Sequence, residues 1–232
     1  MNIISLIIAG LLGYICGSIP FGYLFVRLKT GEDLRGVGSG RTGGTNSLRA
    51  GGLLVGIVTS FSDVFKGIMG IKFSQLILVN ILNIDPSFLP WAYLAAGTMS
   101  VVGHNWSIFL KFGGGAGTGP NIGWATAIWP PMFPIGFIVM VGTLLGLGMA
   151  SVASLSMAFI IPVAFAIFYF TGVDVKLGID DTPAYMVAGL LTAVIVTWAL
   201  RPNIKRLLQG NERVVGPRAK RLKRKQEKQQ NP

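Results

Sequence analysis

The sequence is poor in what most soluble enzymes use. Of its 232 residues only 12% are charged and nine are acidic, with one cysteine and one histidine. A lone Cys16 excludes an intrachain disulfide and leaves the redox compartment undetermined. With His104 the only imidazole, no Cys or His cluster can hold zinc, and no Gly-Lys-Ser/Thr phosphate loop occurs. A Ser-His-Asp triad would have to use His104, whose plainer reading is a packed, hydrogen-bonded side chain.

What is present is apolar. Hydrophobic residues make up 51% of the chain, and the mean hydropathy is +0.61, far from the balance of a soluble domain. A hydrocarbon core needs about 20 apolar residues per helical crossing, and such stretches recur from Ile3 to Leu200. The first, 3–26, has no basic residue ahead of it and no cleavage site, so it reads as a retained span, not a signal peptide. Apolar segments follow at 52–81, 88–110, 120–172 and 183–200.

Charge orients them. The connection 27–51 holds Arg27, Lys29, Arg35, Arg41 and Arg49, whereas 82–87 offers only Asp85, and 173–182 sets three aspartates against Lys176. The positive-inside rule places 27–51 and the tail in the cytoplasm. An odd number of crossings must then fit into 120–172, with breaks at Pro130, Pro131 and Pro134 and at Gly146, Gly148 and Ser151. The expected architecture is an all-α polytopic transmembrane bundle of about seven spans, amino terminus outside and carboxyl terminus cytoplasmic. One crossing with a re-entrant pair gives the same sidedness.

The division is a transmembrane domain over 1–204 and a basic cytoplasmic tail over 205–232. Eleven of the twenty Lys and Arg lie between Arg201 and Lys228. Such a tail anchors to anionic membrane lipid, and nucleic acid is not expected because no aromatic residue interleaves it. Inside the second apolar segment Asp63 and Lys66 stand three apart on one helical face, where they should pair with each other or with an interior polar site.

Three polar stretches share the cytoplasmic side. In VGSGRTGGTNSLRAGG, glycines alternate with Ser39, Thr42, Thr45, Asn46 and Ser47 and with Arg41 and Arg49. Free backbone amides, hydroxyls and planar guanidinium forks suit a phosphate cradle, although a flexible topology-setting loop has the same composition. KFGGGAGTGPN carries Gly114, Gly115 and Gly117, and RPNIKRLLQGNER carries Asn203 and Glu212.

The chain resembles the bacterial acyl-phosphate:glycerol-3-phosphate acyltransferases, small polytopic membrane enzymes. The likeness rests on GSIPFGYLFVRL, VGSGRTGGTNSLR, SDVFKG, GHNWSIFLKFGGG and NIKRLLQGNE, in that order. It implies seven spans and three cytoplasmic motifs around one site in the bacterial inner membrane. It further implies transfer of a fatty acyl group from acyl phosphate to the glycerol 3-phosphate hydroxyl, giving lysophosphatidic acid and phosphate for phospholipid biosynthesis. No cofactor is implied, and the acyl phosphate's own phosphate would help to remove the hydroxyl proton. A soluble acyl-phosphate-producing enzyme is an implied partner.

By the same resemblance Ser39, Arg49, Ser151, Asn203 and Glu212 carry the reaction. Asn46 and Ser154 match its binding residues, and Arg41, Thr45, His104, Gly114, Gly115 and Gly117 are expected to bind substrate beside them. The chain departs from the family at Gly113 and Ala116, where lysines are usual, and at Leu200 (histidine), Ser107 (proline), Met149 (an aromatic residue) and Arg41 (asparagine). Arg41 is expected to reach the phosphate that the loop lysine would hold. The departures leave a second expectation, an impaired paralogue that binds acyl phosphate or lysophosphatidate and acts as a regulatory or scaffold protein.

Overall fold

Among the described residues the chain forms ten named α-helices, most of them apolar runs divided by proline and glycine. The computed structural model describes residues 3–216, 218, 219 and 221. The helices are α1 (Ile3–Ser18), α2 (Phe21–Thr30), α3 (Gly44–Gln75), α4 (Leu89–Asn105), α5 (Thr118–Ile128), α6 (Met132–Leu147), α7 (Ala150–Thr171), α8 (Val173–Leu177), α9 (Thr182–Ala199) and α10 (Arg201–Leu208). No strand occurs among the described residues. Four stretches, 3–30, 44–81, 150–171 and 182–199, are long and apolar enough to cross a membrane.

The long segment 120–172 breaks twice, at Trp129–Pro131 and at Gly148–Met149, close to the expected points; Pro134 is absorbed into the first turn of α6. Proline there removes no hydrogen bond, because the first turn's N–H groups have no intrahelical acceptor. At 11 residues α5 is about 16 Å long, half of a hydrocarbon core.

The charged connection 27–51 is more ordered than expected. Pro20 interrupts the first span and α2 continues beyond it, while α3 begins at Gly44 and bends at Gly52, whose φ of 83° and ψ of −178° are open to glycine. After Gln75 the helix continues as a π-turn over Leu76–Ile81. The break after α1 leaves two carbonyls without helical donors. Ser107 Oγ donates to Ser18 O at 2.5 Å and Lys66 Nζ to Ile19 O at 2.8 Å.

With hydrocarbon outside there is little hydrophobic force between spans, so packing relies on close backbone approach. Gly13 and Gly17 of α1 lie directly on the Ala96 and Ser100 backbone of α4, with no room for a Cβ. Farther across, Trp124 of α5 stacks on Phe165 of α7 at 6.1 Å.

Beyond α9 the chain turns back. α10 runs through the expected boundary between 204 and 205, and Val215 N then donates to Gly148 O at 2.7 Å at the α6–α7 turn. The expected basic tail is described only in part, since 217, 220 and 222–232 lie outside the described residues.

Candidate active site

All three glycine- and arginine-bearing stretches meet at one end of the bundle. Thr42 N donates to Gly114 O at 3.3 Å, joining the first loop to the glycine-rich loop. Arg41 joins it to the last helices: Nη1 donates to Asn203 Oδ1 and Nη2 to Ala199 O, both at 2.6 Å. Beneath these contacts lies a cleft of about 1050 Å³, its open mouth included.

Of the residues expected at the site, Ser39, Arg41, Thr45, Asn46, His104, Ser151 and Ser154 line this cleft. Arg49 is exposed outside the lining, with Nη1 3.5 Å from Asn46 Oδ1. Asn46 is buried and works on the loop itself, donating to Val37 O and Arg41 O at 2.8 and 2.9 Å while Oδ1 accepts from Ser39 N at 3.3 Å. A buried amide spent in this way fixes the loop's shape and with it the positions of Ser39 and Arg41.

Asn203 and Glu212 sit behind the lining. Ser151 Oγ and Asn203 Nδ2 donate to Glu212 Oε1 at 2.8 and 2.7 Å, and Arg206 Nε donates to Oε2 at 3.1 Å. The Glu212 side chain is 4% exposed. Burial pushes its carboxyl up, but hydrogen bonds from Asn203 and Ser151 and the Arg206 charge outweigh this, so the group is held below its ordinary value. Arg41 is drawn down by burial and by the nearby Arg206 charge, and as a guanidinium it keeps its proton. Sequence reasoning sent Arg41 toward phosphate; the structure shows two of its nitrogens engaged with Asn203 and Ala199.

The glycine-rich loop is not a slack linker. Gly115 N donates to His104 O at 2.9 Å, and Ser107 N to Gly113 O at 3.0 Å. Gly114 and Gly115 lie so close to His104 that side chains there would overlap its carbonyl and its ring. Gly117 takes φ 79° as the residue from which α5 starts.

Several lining residues were not among those expected at the site. Asp63, whose spacing predicts its pairing with Lys66 at 3.0 Å, reaches the cleft from α3. Phe61, Phe133, Phe137 and Met140 form an apolar wall; only the i, i+4 spacing of the two α6 phenylalanines points to a shared face. The same cleft is lined by the hydroxyls of Ser39, Thr45, Ser60, Thr118, Ser151 and Ser154 and by Arg41. The cleft can therefore take an amphipathic molecule, anionic at one end and hydrocarbon at the other. Among the described residues no group of three or more His, Cys, Asp or Glu is arranged to hold a metal ion.

The glycerol-3-phosphate acyltransferase family profile matches residues 7–210. Glycerol-3-phosphate acyltransferase 3 of Dehalococcoides mccartyi (strain CBDB1) is 34% identical over 223 residues, covering 95% of this chain and 100% of that protein. A glycerol-3-phosphate acyltransferase of Thermus thermophilus is 35% identical over 216 residues, covering 90% of this chain and 94% of that protein. The fold matches a crystal structure of PlsY (YgiH), an integral membrane glycerol 3-phosphate acyltransferase in its glycerol 3-phosphate form. That match has a TM-score of 0.73 and 31% identity over 91% of this chain and 96% of the other. The lysophosphatidic acid form gives a TM-score of 0.71 at 29% identity. A profile spanning most of the sequence, with relatives this similar along nearly their full length, shows that the chain belongs to the glycerol-3-phosphate acyltransferase family.

Proposed function

We propose that the protein transfers a fatty acyl group from acyl phosphate to the hydroxyl of glycerol 3-phosphate, releasing lysophosphatidic acid and phosphate. The observation that carries this reading is the cleft itself, whose lining joins a cluster of phenylalanines to hydroxyls, glycines and a guanidinium. Acyl phosphate has that same division. Its tail suits Phe61, Phe133, Phe137 and Met140, and its phosphate suits Ser39 and Arg41, with Arg49 at the mouth.

Glycerol 3-phosphate brings a second dianion to the same end. Ser154 in the first turns of α7 offers it a hydroxyl, and Ser151, whose proton goes to Glu212, can accept from a glycerol hydroxyl. Glu212 and Asn203 act one step removed, Glu212 fixing Ser151 and Asn203 fixing Arg41. Attack by the hydroxyl on the acyl carbonyl then needs chiefly that the two substrates be held in contact and the developing oxyanion be met by fixed donors.

The reading extends to placement. Basic residues gather at the cleft end, while Asp174, Asp180 and Asp181 lie at the end where α7 and α9 join, which supports a cytoplasmic site in a bacterial inner membrane. Counting α1–α2 as one crossing, adding α3, α4, α6, α7 and α9, and taking the half-length α5 with its flanking turns as a shortened one gives seven, with the amino terminus outside. A soluble enzyme that makes acyl phosphate would meet the membrane at this basic end.

The test is direct. Purified protein in lipid vesicles, given acyl phosphate and glycerol 3-phosphate, should release phosphate and form lysophosphatidic acid in equal amounts. Phosphate release no faster than spontaneous acyl phosphate hydrolysis, with no lysophosphatidic acid extracted, would overturn the reading.

A further inference from the structure

Five arginines gather where the three polar stretches meet, around one carboxylate. The charges of Arg206, Arg201 and Glu212 reach Arg41, and those of Arg213 and Glu212 reach Arg49. Three of the five guanidiniums are engaged. Arg41 donates to Asn203 and Ala199, and Arg206 to Glu212. Arg201 donates to Trp198 O at 3.0 Å and lies 4.6 Å from the centre of the Trp198 ring. Arg49 and Arg213 are exposed and have no carboxylate of their own among the described residues. Arg49 keeps one contact of 3.5 Å to Asn46 Oδ1, and Arg213 has neither a hydrogen bond nor an ion pair.

Arg213 is free at its side chain but fixed at its backbone. On one side Glu212 is held by Ser151, Asn203 and Arg206. On the other Val215 N donates to Gly148 O at 2.7 Å, and Arg218 Nη1 to Leu147 O at 2.8 Å. Residues 212–216 thus form a strap from α10 to the α6–α7 turn, beside the end of the cleft that Ala150 and Ser151 line. Arg213 and Arg49 are close enough to repel each other, and the carboxylate between them is already filled by three donors. An anion with several acceptor oxygens relieves that repulsion, and phosphate matches the guanidinium fork.

We propose that Arg213 and Arg49 form a two-fork clamp for a phosphate dianion at the mouth of the cleft. The proposal rests on the acyl transfer proposed above and adds Arg213 to the residues that hold its substrates. Glycerol 3-phosphate and acyl phosphate both carry the group. Among the described residues of the cleft lining Arg41 is the one Lys or Arg, and two of its nitrogens are engaged. Two phosphate groups brought together there need further positive charge, and the free pair at the mouth supplies it.

The experiment follows phosphate release and lysophosphatidic acid formation by full-length protein in phosphatidylcholine vesicles. Wild type is compared with Arg213→Gln and Arg213→Lys, and binding of inorganic phosphate is followed by calorimetry at about pH 8, where it is a dianion. Arg213→Gln should raise the KM of a phosphate substrate, and the Kd of inorganic phosphate, by about five- to tenfold, the loss expected for one exposed charge-assisted contact. Its kcat should stay within about twofold, and its Tm within about 2 °C because the side chain touches nothing. Arg213→Lys keeps the charge without the fork and should fall between the two. The KM that moves identifies the substrate held, and it should climb more steeply with salt in wild type than in Arg213→Gln.

Both KM values and the phosphate Kd within about 1.5-fold of wild type in Arg213→Gln overturn the proposal. So does a variant that melts far below wild type or does not fold, since Arg213 would then be part of what holds the strap. A difference that emerges only when phosphatidylglycerol is added to the vesicles assigns Arg213 to lipid headgroups and overturns it as well. Wild type that makes no product refutes the reaction; phosphate binding, weakened in Arg213→Gln or unchanged, still decides the clamp.

Discussion

Two buried polar clusters flank the cleft, and they are built on opposite terms. Around Glu212 the donors are matched: Ser151 and Asn203 fill one carboxylate oxygen, Arg206 the other, and Arg41 closes the chain of contacts through Asn203. Around His104 partners run short, with Nδ1 and both amide atoms of the neighbouring Asn105 lacking any hydrogen bond. A fully bonded cluster ties chain segments together; one with spare capacity beside a cleft has something left to offer a substrate.

The contrast breaks first at Lys66. Lys66→Met leaves Asp63 buried without its counterion, and the expected cost is about 3–5 kcal/mol, read as a fall in Tm in detergent. A shift smaller than that of Glu212→Gln would show that the His104 cluster is the less strained of the two. Glu212→Gln itself should cost about 1–3 kcal/mol, because the amide cannot accept from three donors as the carboxylate does.

That second variant also carries a pH signature. A carboxyl held below its ordinary 4.5 in the folded protein contributes stability that is complete above that value. The contribution fades as pH falls through the lower folded value. The Tm gap between wild type and Glu212→Gln should accordingly narrow from about pH 6 to about pH 3, and a constant gap would mean the clasp does not depend on charge.

Gly115→Ala sharpens the comparison from the other side. Overpacking against the imidazole should cost about 1–3 kcal/mol, read as a fall in Tm, and turnover should fall with it because the loop carrying Ala116 lines the cleft. Equal melting and equal turnover would mean that the loop has room to move away. The smallest effect is expected from Arg41→Lys, about 0.5–1.5 kcal/mol, since an ammonium cannot reach Asn203 and Ala199 as a fork does. An unchanged Tm would remove Arg41 from the clasp.

Much of this was legible in the residues. Apolar length gives an all-α membrane bundle, the prolines and Gly148 give the breaks of 120–172, and the spacing of Asp63 and Lys66 gives their pairing, because each is a local consequence of helix geometry. The helices inside 27–51 were not legible, since charge there outweighs periodicity and tertiary contacts decide the conformation. Nor does composition reveal that Gly113–Gly115 are pinned by backbone bonds to Ser107 and His104. The apposition of His104 and Asp63, like that of Ser151 and Glu212, depends on how distant spans pack, which no single stretch of sequence encodes. The resemblance named Glu212 and Asn203 as site residues; that they stand one contact behind the cleft is a matter of three-dimensional placement.

Where the α1 and α4 backbones touch at Gly13 and Gly17, no acyl chain of the bilayer can wedge between them. Ser107 beyond the end of α4 is also bonded to the α1–α2 break, so the two rods are joined both along their length and at that end. A fatty tail finds its looser neighbour in α6, which buries only Met132 and Gly136 and is bounded by turns at Pro131 and Gly148.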